Sequence, residues 1–314
     1  MSDLLYLDHN ATTPVSPEAQ NAMAEALAEC WGNPSSSHPY GRAARALVDK
    51  ARRSLLTLTD SDPGAKLIFT SGATEAINQV IRSAPPGRIV TSALEHPAVL
   101  EAARAHGELE VELVSVEDNG CIDALKMLEA VDAHEDTVLV ACMAANNETG
   151  VIQPIGELVS PLRAKQVPLL VDASQMAGRL PLNFETPDYL VFTAHKLGGP
   201  KGVGALVMRS NSDISPYIVG GGQEGGLRAG TEPVPAIVGF GAAVDVVYKT
   251  RHEEASRLWN LREAMARHLL EVLPGSRVLG VGAPRLPNTL SFMLPEGLSS
   301  KRVKARLDEE GICL

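Results

Sequence analysis

Short, almost continuous apolar runs alternate with longer amphipathic segments from about residue 16 to residue 249. Apolar runs of strand length between helical segments are typical of parallel strands whose two faces are both covered by helices. The pattern therefore predicts an α/β protein with a mostly parallel central sheet and helices on both faces. The predicted strands span residues 66–70, 88–92, 111–116, 137–143, 168–173, 189–193 and 204–208. The predicted helices span residues 17–30, 41–57 and 155–165 and begin also near residues 73, 97 and 123.

The pattern changes near residue 250. A long charged amphipathic helix is predicted over 253–273, followed by a strand over 288–293 and a helix over 299–309. This order is typical of a smaller α+β domain. The prediction is an N-terminal segment (1–15) that packs with the small domain, a large domain (16–249) and the start of a small C-terminal domain (250–314). A final apolar strand begins at Ile312 and has three residues in this sequence, so we expect a C-terminal truncation.

Composition narrows the classes of function. A chain of 314 residues with 45% hydrophobic content has room to bury a cofactor. The formal net charge of −10, with acids and bases interspersed, does not favour binding to nucleic acid or to an anionic membrane. The N-terminus lacks the basic and apolar regions of a signal peptide, and the four cysteines and eight histidines show no metal-ligand spacing. These features predict a cytoplasmic protein without a metal centre.

Polar side chains follow five of the predicted strands. Ligands of open α/β sheets bind beyond the carboxyl ends of the parallel strands, so residues at these positions are candidates for one shared site. Each residue by itself has an ordinary alternative role as a helix cap or a loop residue. The five segments are Thr70-Ser-Gly-Ala-Thr-Glu75, Glu95-His96, Asn146-Asn-Glu148, Asp172-Ala-Ser-Gln175 and Thr193-Ala-His-Lys196.

Lys196 indicates the chemistry of that site. A lone lysine at a strand end is usually a solvated surface residue, but an amine held in a glycine-rich turn can be desolvated and form a Schiff base with the aldehyde of pyridoxal 5′-phosphate (PLP). The helix start at 71–74 suits a phosphate, and Asp172 suits a protonated pyridine nitrogen. His96 can stack on a planar ring and exchange protons near neutral pH. Together these residues predict a PLP site.

In these segments the chain resembles the group I cysteine desulfurases of the NifS/IscS type, in the class V aminotransferase branch of the fold type I PLP enzymes. The similarity runs in order over essentially the whole chain. It is carried by Tyr6–Pro14, Gly32-Asn-Pro-Ser35 with Ser37-His38, Thr70–Glu75, Glu95-His96, Asn146–Gly150, Val171–Gln175, His195-Lys196 and Gly230-Thr231.

The resemblance implies a role for each matching residue. Lys196 would bind PLP covalently and move the Cα proton of the substrate, and His96 would stack on the ring and act as an acid and base. A homodimer is implied, because the threonine that matches Thr231 reaches the phosphate of the neighbouring subunit. The remaining cofactor contacts would be Ala73, Thr74, Thr193 and His195 at the phosphate, Asp172 at the ring nitrogen, Gln175 at the ring oxygen and Asn147 beside the ring.

The implied reaction converts L-cysteine to L-alanine and leaves the sulfur as an enzyme persulfide, for transfer to an acceptor such as an iron–sulfur scaffold protein. In the family the persulfide cysteine follows the strand that begins at Ile312, and this sequence stops at Leu314. None of Cys30, Cys121, Cys142 and Cys313 matches that cysteine. We therefore expect this chain to be inactive in sulfur transfer. Gly225 replaces a family arginine, which is expected to loosen its loop.

Two other interpretations remain open. Another class V aminotransferase, or a selenocysteine or cysteine lyase, would keep the PLP residues without needing the loop cysteine. A non-catalytic dimerisation or scaffold homologue would keep the fold without turnover.

Overall fold

A seven-stranded sheet lies at the centre of the computed structural model, which describes residues 4–314. The strand order is β2-β8-β7-β6-β5-β3-β4, and β8 alone runs antiparallel to the other six strands. The predicted α/β fold with a mostly parallel sheet is confirmed. The strands in chain order are β1 (Leu5–Tyr6), β2 (Lys66–Thr70), β3 (Gly87–Ser92), β4 (Leu109–Val114), β5 (Thr137–Met143), β6 (Leu169–Asp172), β7 (Tyr189–Thr193), β8 (Gly204–Met208), β9 (Arg277–Val278), β10 (Phe292–Met293) and β11 (Ile312–Cys313).

Helices cover both faces of this sheet, and several begin with a side-chain cap that the sequence supplies. Ser16 Oγ accepts a hydrogen bond from Ala19 N at 3.2 Å, and Asp123 Oδ1 accepts one from Leu125 N at 2.9 Å. The helices are α1 (Pro17–Glu29), α2 (Pro39–Leu58), α3 (Ala73–Ser83), α4 (Pro97–Arg104), α5 (Ala124–Asp132), α6 (Ile155–Ala164), α7 (Val234–Val272) and α8 (Ser300–Glu309).

The two faces of the sheet form two hydrophobic clusters, as β7 illustrates. Leu190 and Phe192 belong to the cluster that contains residues of α2, α6 and α7, and the Phe192 ring meets Phe240 edge to face with centroids 5.6 Å apart. Tyr189 and Val191 belong to the cluster that contains residues of α3 and α4. Successive side chains of a strand point to opposite faces. Because both faces are buried here, the strand is apolar along its length.

Helix α7 begins much earlier than the sequence predicts. The predicted helix starts at residue 253, whereas α7 runs without interruption from Val234 to Val272. Phe240 and Val244 are fully buried against the large domain, and Trp259 is 47% exposed further along the helix. The change in the hydrophobic pattern near residue 250 thus marks the point at which α7 passes from buried to partly exposed surroundings, and it does not mark the start of a new helix. The predicted domain division at 249/250 stays a prediction.

The N-terminal segment connects distant parts of the chain. Strand β1 pairs in parallel with β11, with Leu5 opposite Ile312. Beyond β1, Thr13 N donates to His195 O and Ser16 N donates to Gly198 O, both at 2.8 Å. The segment therefore runs from the C-terminal elements to the turn that follows β7.

The predicted strand 288–293 is shortened to Phe292–Met293, which pairs with β9. The side chains of Asn288 and Thr289 instead hydrogen-bond Asn10. Among the described helices, none combines the length and the apolar character that a membrane crossing requires.

Candidate active site

A cavity of about 910 Å³ lies at the carboxyl ends of the parallel strands. The ends of β5, β6 and β7, the first turns of α3 and α4, and the N-terminal segment all contribute to its wall. Thr231 is exposed and lies outside this cavity in the single chain. The other nine predicted site residues line it, namely Ala73, Thr74, His96, Asn147, Asp172, Gln175, Thr193, His195 and Lys196.

The N-terminus of α3 offers main-chain donors to the cavity. Gly72 is the N-cap residue and no side chain caps the helix, so the N–H groups of the first turn remain available. Thr70 Oγ1 donates to Gly72 O at 2.9 Å and shapes the turn. A Cβ at Gly204 would lie 2.6 Å from Gly72 Cα, so this approach of β8 to the turn requires glycine. A helix start of this kind is suited to bind an anion such as a phosphate.

Lys196 lies on a single turn of 3₁₀ helix, 194–196, directly after β7. Its Nζ donates a hydrogen bond to Asn10 O. Burial lowers the pKa of Lys196, and the Arg179 charge lowers it further, against the opposing effects of Asp172 and Asp8. A lowered pKa increases the fraction of neutral amine, which is the nucleophilic form.

Asp172, at the end of β6, presents a carboxylate to the cavity. Its Oδ1 accepts from Ser174 N at 2.9 Å, and within residues 4–314 its other oxygen accepts no hydrogen bond. The Ser174 hydroxyl is buried at the cavity wall and has no partner among the described residues. Buried polar groups in native proteins are normally satisfied, so these atoms are suited to contact a polar ligand.

The two histidines at the cavity differ in their contacts. His96 caps α4, because its Nδ1 accepts from Ala98 N at 3.0 Å. In the neutral ring the proton is therefore on Nε2. His195 Nδ1 lies 3.2 Å from Thr12 Oγ1. Burial and the charges of Lys196 and Lys201 lower the pKa of His195, which favours its neutral ring.

Two residues of the site region carried no prediction. Asn10 O accepts from Gln175 Nε2 at 3.0 Å as well as from Lys196, and Asn10 Nδ2 donates to Asn147 O at 3.0 Å. Arg179 Nη1 donates to Asn10 Oδ1 at 2.9 Å. The sequence around Asn10 contributed to the family resemblance, but it gave no local signal for these contacts. Arg179 follows a glycine in a turn and belongs to no motif.

Glu95 is buried beneath the His96 turn. Its Oε1 accepts from Ser92 Oγ at 2.7 Å and from Met143 N at 3.0 Å, which attaches the turn to the end of β5. Its Oε2 has no partner among the described residues. Burial, together with the nearby Asp172 charge, raises the pKa of Glu95 to about 8. The folded protein therefore keeps this carboxyl group protonated at neutral pH.

Glu95→Gln is expected to change the pH dependence of stability. An unfolded chain ionises Glu95 near pH 4.5, whereas the folded chain keeps the proton up to about pH 8. The proton that only the folded state binds contributes to the stability of the wild type. This contribution is complete below about pH 4.5 and is lost as the pH rises to about 8. Glutamine does not ionise. Relative to the wild type, the variant's free energy of unfolding should therefore increase as the pH rises from 5 to 8, in urea denaturation.

The exposed Glu108 provides a control, because Glu108→Gln removes one carboxylate without touching this cluster. Its stability should follow the wild-type profile. If the free energy of unfolding of Glu95→Gln differs from that of the wild type by the same amount at every pH from 5 to 8, Glu95 does not keep its proton in the folded state.

The loop 220–231, which ends at Thr231, is fixed by ion pairs on both sides of Gly225. Arg52 binds Glu224 through two hydrogen bonds of 2.9 and 3.0 Å, and Phe69 N donates to the same carboxylate at 3.1 Å. Arg228 Nε donates to Glu75 at 2.9 Å. These two ion pairs anchor the loop in this chain, which has Gly225 where the resemblance leads us to expect an arginine.

Comparisons with known proteins identify the family to which the chain belongs. The sequence profile of the family "Aminotransferase class-V" matches residues 5–314. A cysteine desulfurase from Cereibacter sphaeroides is 41% identical over 324 residues, which cover 99% of this chain and 81% of that protein. A cysteine desulfurase from Frankia sp. is 38% identical over 330 residues, which cover 99% and 77%. The crystal structure of a NifS-like protein from Rickettsia africae superposes with a TM-score of 0.92 at 30% identity, covering 99% of this chain and 86% of that one.

Proposed function

Since this chain belongs to the class V aminotransferase family of PLP-dependent enzymes, we propose that it is a cysteine desulfurase, which converts L-cysteine to L-alanine. The observation that carries the proposal is the cavity in which an amine of lowered pKa, Lys196, and the carboxylate of Asp172 meet the N-terminus of α3. The relatives named above as cysteine desulfurases support the choice of substrate.

The residues of the cavity fit PLP. The uncapped N-terminus of α3 suits the phosphate, and the free oxygen of Asp172 suits the protonated ring nitrogen. The Ser174 hydroxyl without a partner is a further polar atom available to a ligand. The residues that would hold the cofactor are Ala73, Thr74, Thr193 and His195 at the phosphate, Asp172 at the ring nitrogen, Gln175 at the ring oxygen, and Asn147 and His96 beside the ring.

Bound PLP supplies an electron sink that stabilises negative charge at the Cα atom of an amino acid. Lys196 Nζ, whose pKa is lowered by burial, would take the Cα proton and return it. Asp172 would keep a proton on the ring nitrogen. His96, whose neutral ring carries its proton on Nε2, would exchange that proton with the bound amino acid.

Sulfur transfer further requires a thiolate close to the substrate sulfur. None of the four cysteines lines the cavity. Burial raises the pKa of Cys121, and that of Cys142 well above its ordinary value, so both favour the unreactive thiol. We propose that the 314-residue chain binds PLP and activates the Cα–H bond of its substrate while transferring little sulfur by itself.

Incubation of the purified chain with PLP and amino acids tests both parts of the proposal. In D₂O, we expect the Cα hydrogen of L-alanine to exchange with deuterium when PLP is present, as measured by NMR. We expect only trace conversion of L-cysteine to alanine. Alanine and persulfide formed at a sustained rate would show that the chain itself transfers sulfur. If the chain instead transfers amino groups from amino acids to 2-oxo acids, the desulfurase proposal is wrong.

A homodimer is part of this proposal. Val219 is 79% exposed, and its neighbours Tyr217 and Ile218 are also accessible. The segment lies beside the Thr231 loop, because Ala229 N donates to Ile218 O at 3.0 Å. Exposed apolar side chains grouped in this way are typical of interaction surfaces. If a second copy of the chain packs here, Thr231 of one chain would contact the phosphate in the cavity of the other chain.

Mixed dimers test the position of Thr231. Thr231→Ala alone is expected to weaken PLP binding about tenfold, since it removes a hydrogen bond to a charged group. Mixing Thr231→Ala with Lys196→Ala chains should then restore one high-affinity site per mixed dimer, measured by PLP titration, because the two defects fall in the same cavity. If each threonine served its own chain, no site would be restored.

The sulfur would pass to an acceptor protein such as a scaffold for iron–sulfur cluster assembly. All four cysteines are free in the structure, which suits the reducing cytoplasm that we propose as the location.

A further inference from the structure

Arg179 lies beside the cavity and is held by neutral groups. Its guanidinium donates to Asn10 Oδ1 at 2.9 Å, to His9 O at 2.8 Å, and to Gln175 Oε1 and O at 2.6 and 3.4 Å. Within residues 4–314 no carboxylate oxygen lies within 4.0 Å of it, so no ion pair neutralises it. Burial lowers the pKa of Arg179 to about 10, and the group therefore remains charged at neutral pH.

The contact with Gln175 fixes the orientation of the amide. A guanidinium has only donors, so the amide oxygen must face Arg179 and the NH₂ group must point away from it. The Nε2 atom of Gln175 accordingly donates to Asn10 O at 3.0 Å. The Gln175 side chain is buried and lines the cavity. With the opposite orientation, two sets of donors would face each other.

Lys196 is linked to the same group of residues. Its Nζ donates to Asn10 O, the carbonyl oxygen that also accepts from Gln175. The charge of Arg179 opposes a second positive charge at this point, and lowers the pKa of Lys196 in addition to burial. The other charged groups that act on the amine are Asp172 and Asp8, which favour its protonation; in turn, Lys196 and Lys201 act on the His195 ring.

We propose that Arg179 is a positioning residue for the PLP site, which orients Gln175 as a donor towards the cofactor's ring oxygen and places a positive charge that opposes protonation of the Lys196 amine. The proposal rests on PLP as the cofactor and on the position proposed for Gln175, but it does not depend on the amino acid that the enzyme uses. A purely structural alternative exists, because Arg179 also attaches the N-terminal segment to the large domain through His9 and Asn10. The experiment must therefore measure the amine itself.

Competitive acetylation of the cofactor-free chain measures the neutral fraction of Lys196. The rate of Lys196 acetylation is followed by mass spectrometry from pH 6 to 11 and divided by its plateau at high pH, which removes differences in accessibility. The exposed Lys304 serves as an internal standard. In Arg179→Met the normalised rate at pH 7.5 is expected to fall on the order of threefold or more. Arg179→Lys, which keeps the charge, should stay close to the wild type.

Arg257→Met is the matched control for the loss of one positive charge, because Arg257 pairs with Glu254 on the exposed face of α7. Its Lys196 profile should equal that of the wild type. If Arg179→Met loses stability in thermal unfolding but keeps the wild-type profile, Arg179 is only a structural tie and the electrostatic part of the proposal is wrong. Should Arg179→Met fail to fold, the wild-type profile decides: a Lys196 that titrates together with Lys304 overturns the proposal.

A double-mutant cycle tests the second part. Arg179→Met and Gln175→Leu should each weaken PLP binding, while the double variant binds no more weakly than the worse single variant. Fully additive effects on the dissociation constant would show that Arg179 does not act through Gln175. The acetylation readout needs neither PLP nor substrate. The acetylation result would therefore be the same if the desulfurase proposal failed. In the same way, the reaction with L-cysteine would be observed even if the Arg179 proposal failed.

Discussion

Lys196→Ala is expected to abolish covalent attachment of PLP to the chain. After reduction with borohydride, the wild-type protein should carry one cofactor mass on the peptide that contains Lys196, and the variant should carry none. Lys196 is the amine that hydrogen-bonds Asn10 O inside the cavity, with a pKa lowered by burial. Exchange of the Cα hydrogen of L-alanine should fall about 10²- to 10⁴-fold, the range usual for loss of a general base.

Lys201→Ala is the matched control, because Lys201 is the second lysine at the cavity. This variant should retain the attached cofactor mass on the Lys196 peptide. Recovery of the cofactor on Lys201, in the wild type or in Lys196→Ala, would contradict the assignment of Lys196. Variant proteins are compared only if their circular dichroism spectra match that of the wild type.

Asp172→Asn is expected to weaken PLP binding about 10- to 100-fold, since a hydrogen bond to a charged partner contributes about 1.5–3 kcal/mol. Asparagine keeps the size of the side chain and an Oδ1 that can still accept from Ser174 N. The substitution therefore removes the charge while preserving the local turn. Cα exchange should fall by a larger factor than binding, because a neutral amide does not hold the proton on the ring nitrogen.

Asp172→Glu provides the comparison, because it keeps the charge at the cost of a longer side chain. It should bind PLP more tightly than Asp172→Asn. Titration of cofactor-free protein with PLP gives the dissociation constants, and NMR in D₂O gives the exchange rates. If Asp172→Asn binds PLP and exchanges the Cα hydrogen like the wild type, Asp172 does not face the ring nitrogen.

Most of the candidate site could be predicted from the sequence because its residues directly follow buried strands. Asp172 ends β6 and Lys196 follows β7, and the carboxyl ends of parallel strands meet at one edge of a sheet. An apolar run followed by a polar residue therefore places that residue at the cavity without further information. Thr231 differs, because its expected contact lies in a second subunit and no single chain can bring it to the site.

The contacts of Asn10 could not be predicted in this way. Asn10 bonds Asn147, Gln175 and Lys196, which are more than 130 residues away along the chain. Helical or strand periodicity carries no information about such pairs, because it reports only which face of one element is buried. The same holds for Glu95, whose bond to Met143 N depends on the packing of two strand ends.

The amino-acid sequence by itself determined the strands of the central sheet, most of the helices, the mostly parallel arrangement and the identities of the groups at the strand ends, because these depend on local hydrophobic patterns and caps. The tertiary structure alone decided that α7 is continuous through residue 250, that β8 is the antiparallel strand, and that the N-terminal segment lies between β11 and the Lys196 turn. It also decided that the pKa of Lys196 is lowered and that the pKa of Glu95 is raised. A pKa depends on the burial and charges around a group, and residues distant in sequence, such as Arg179 beside Asn10, create that environment only when the chain is folded.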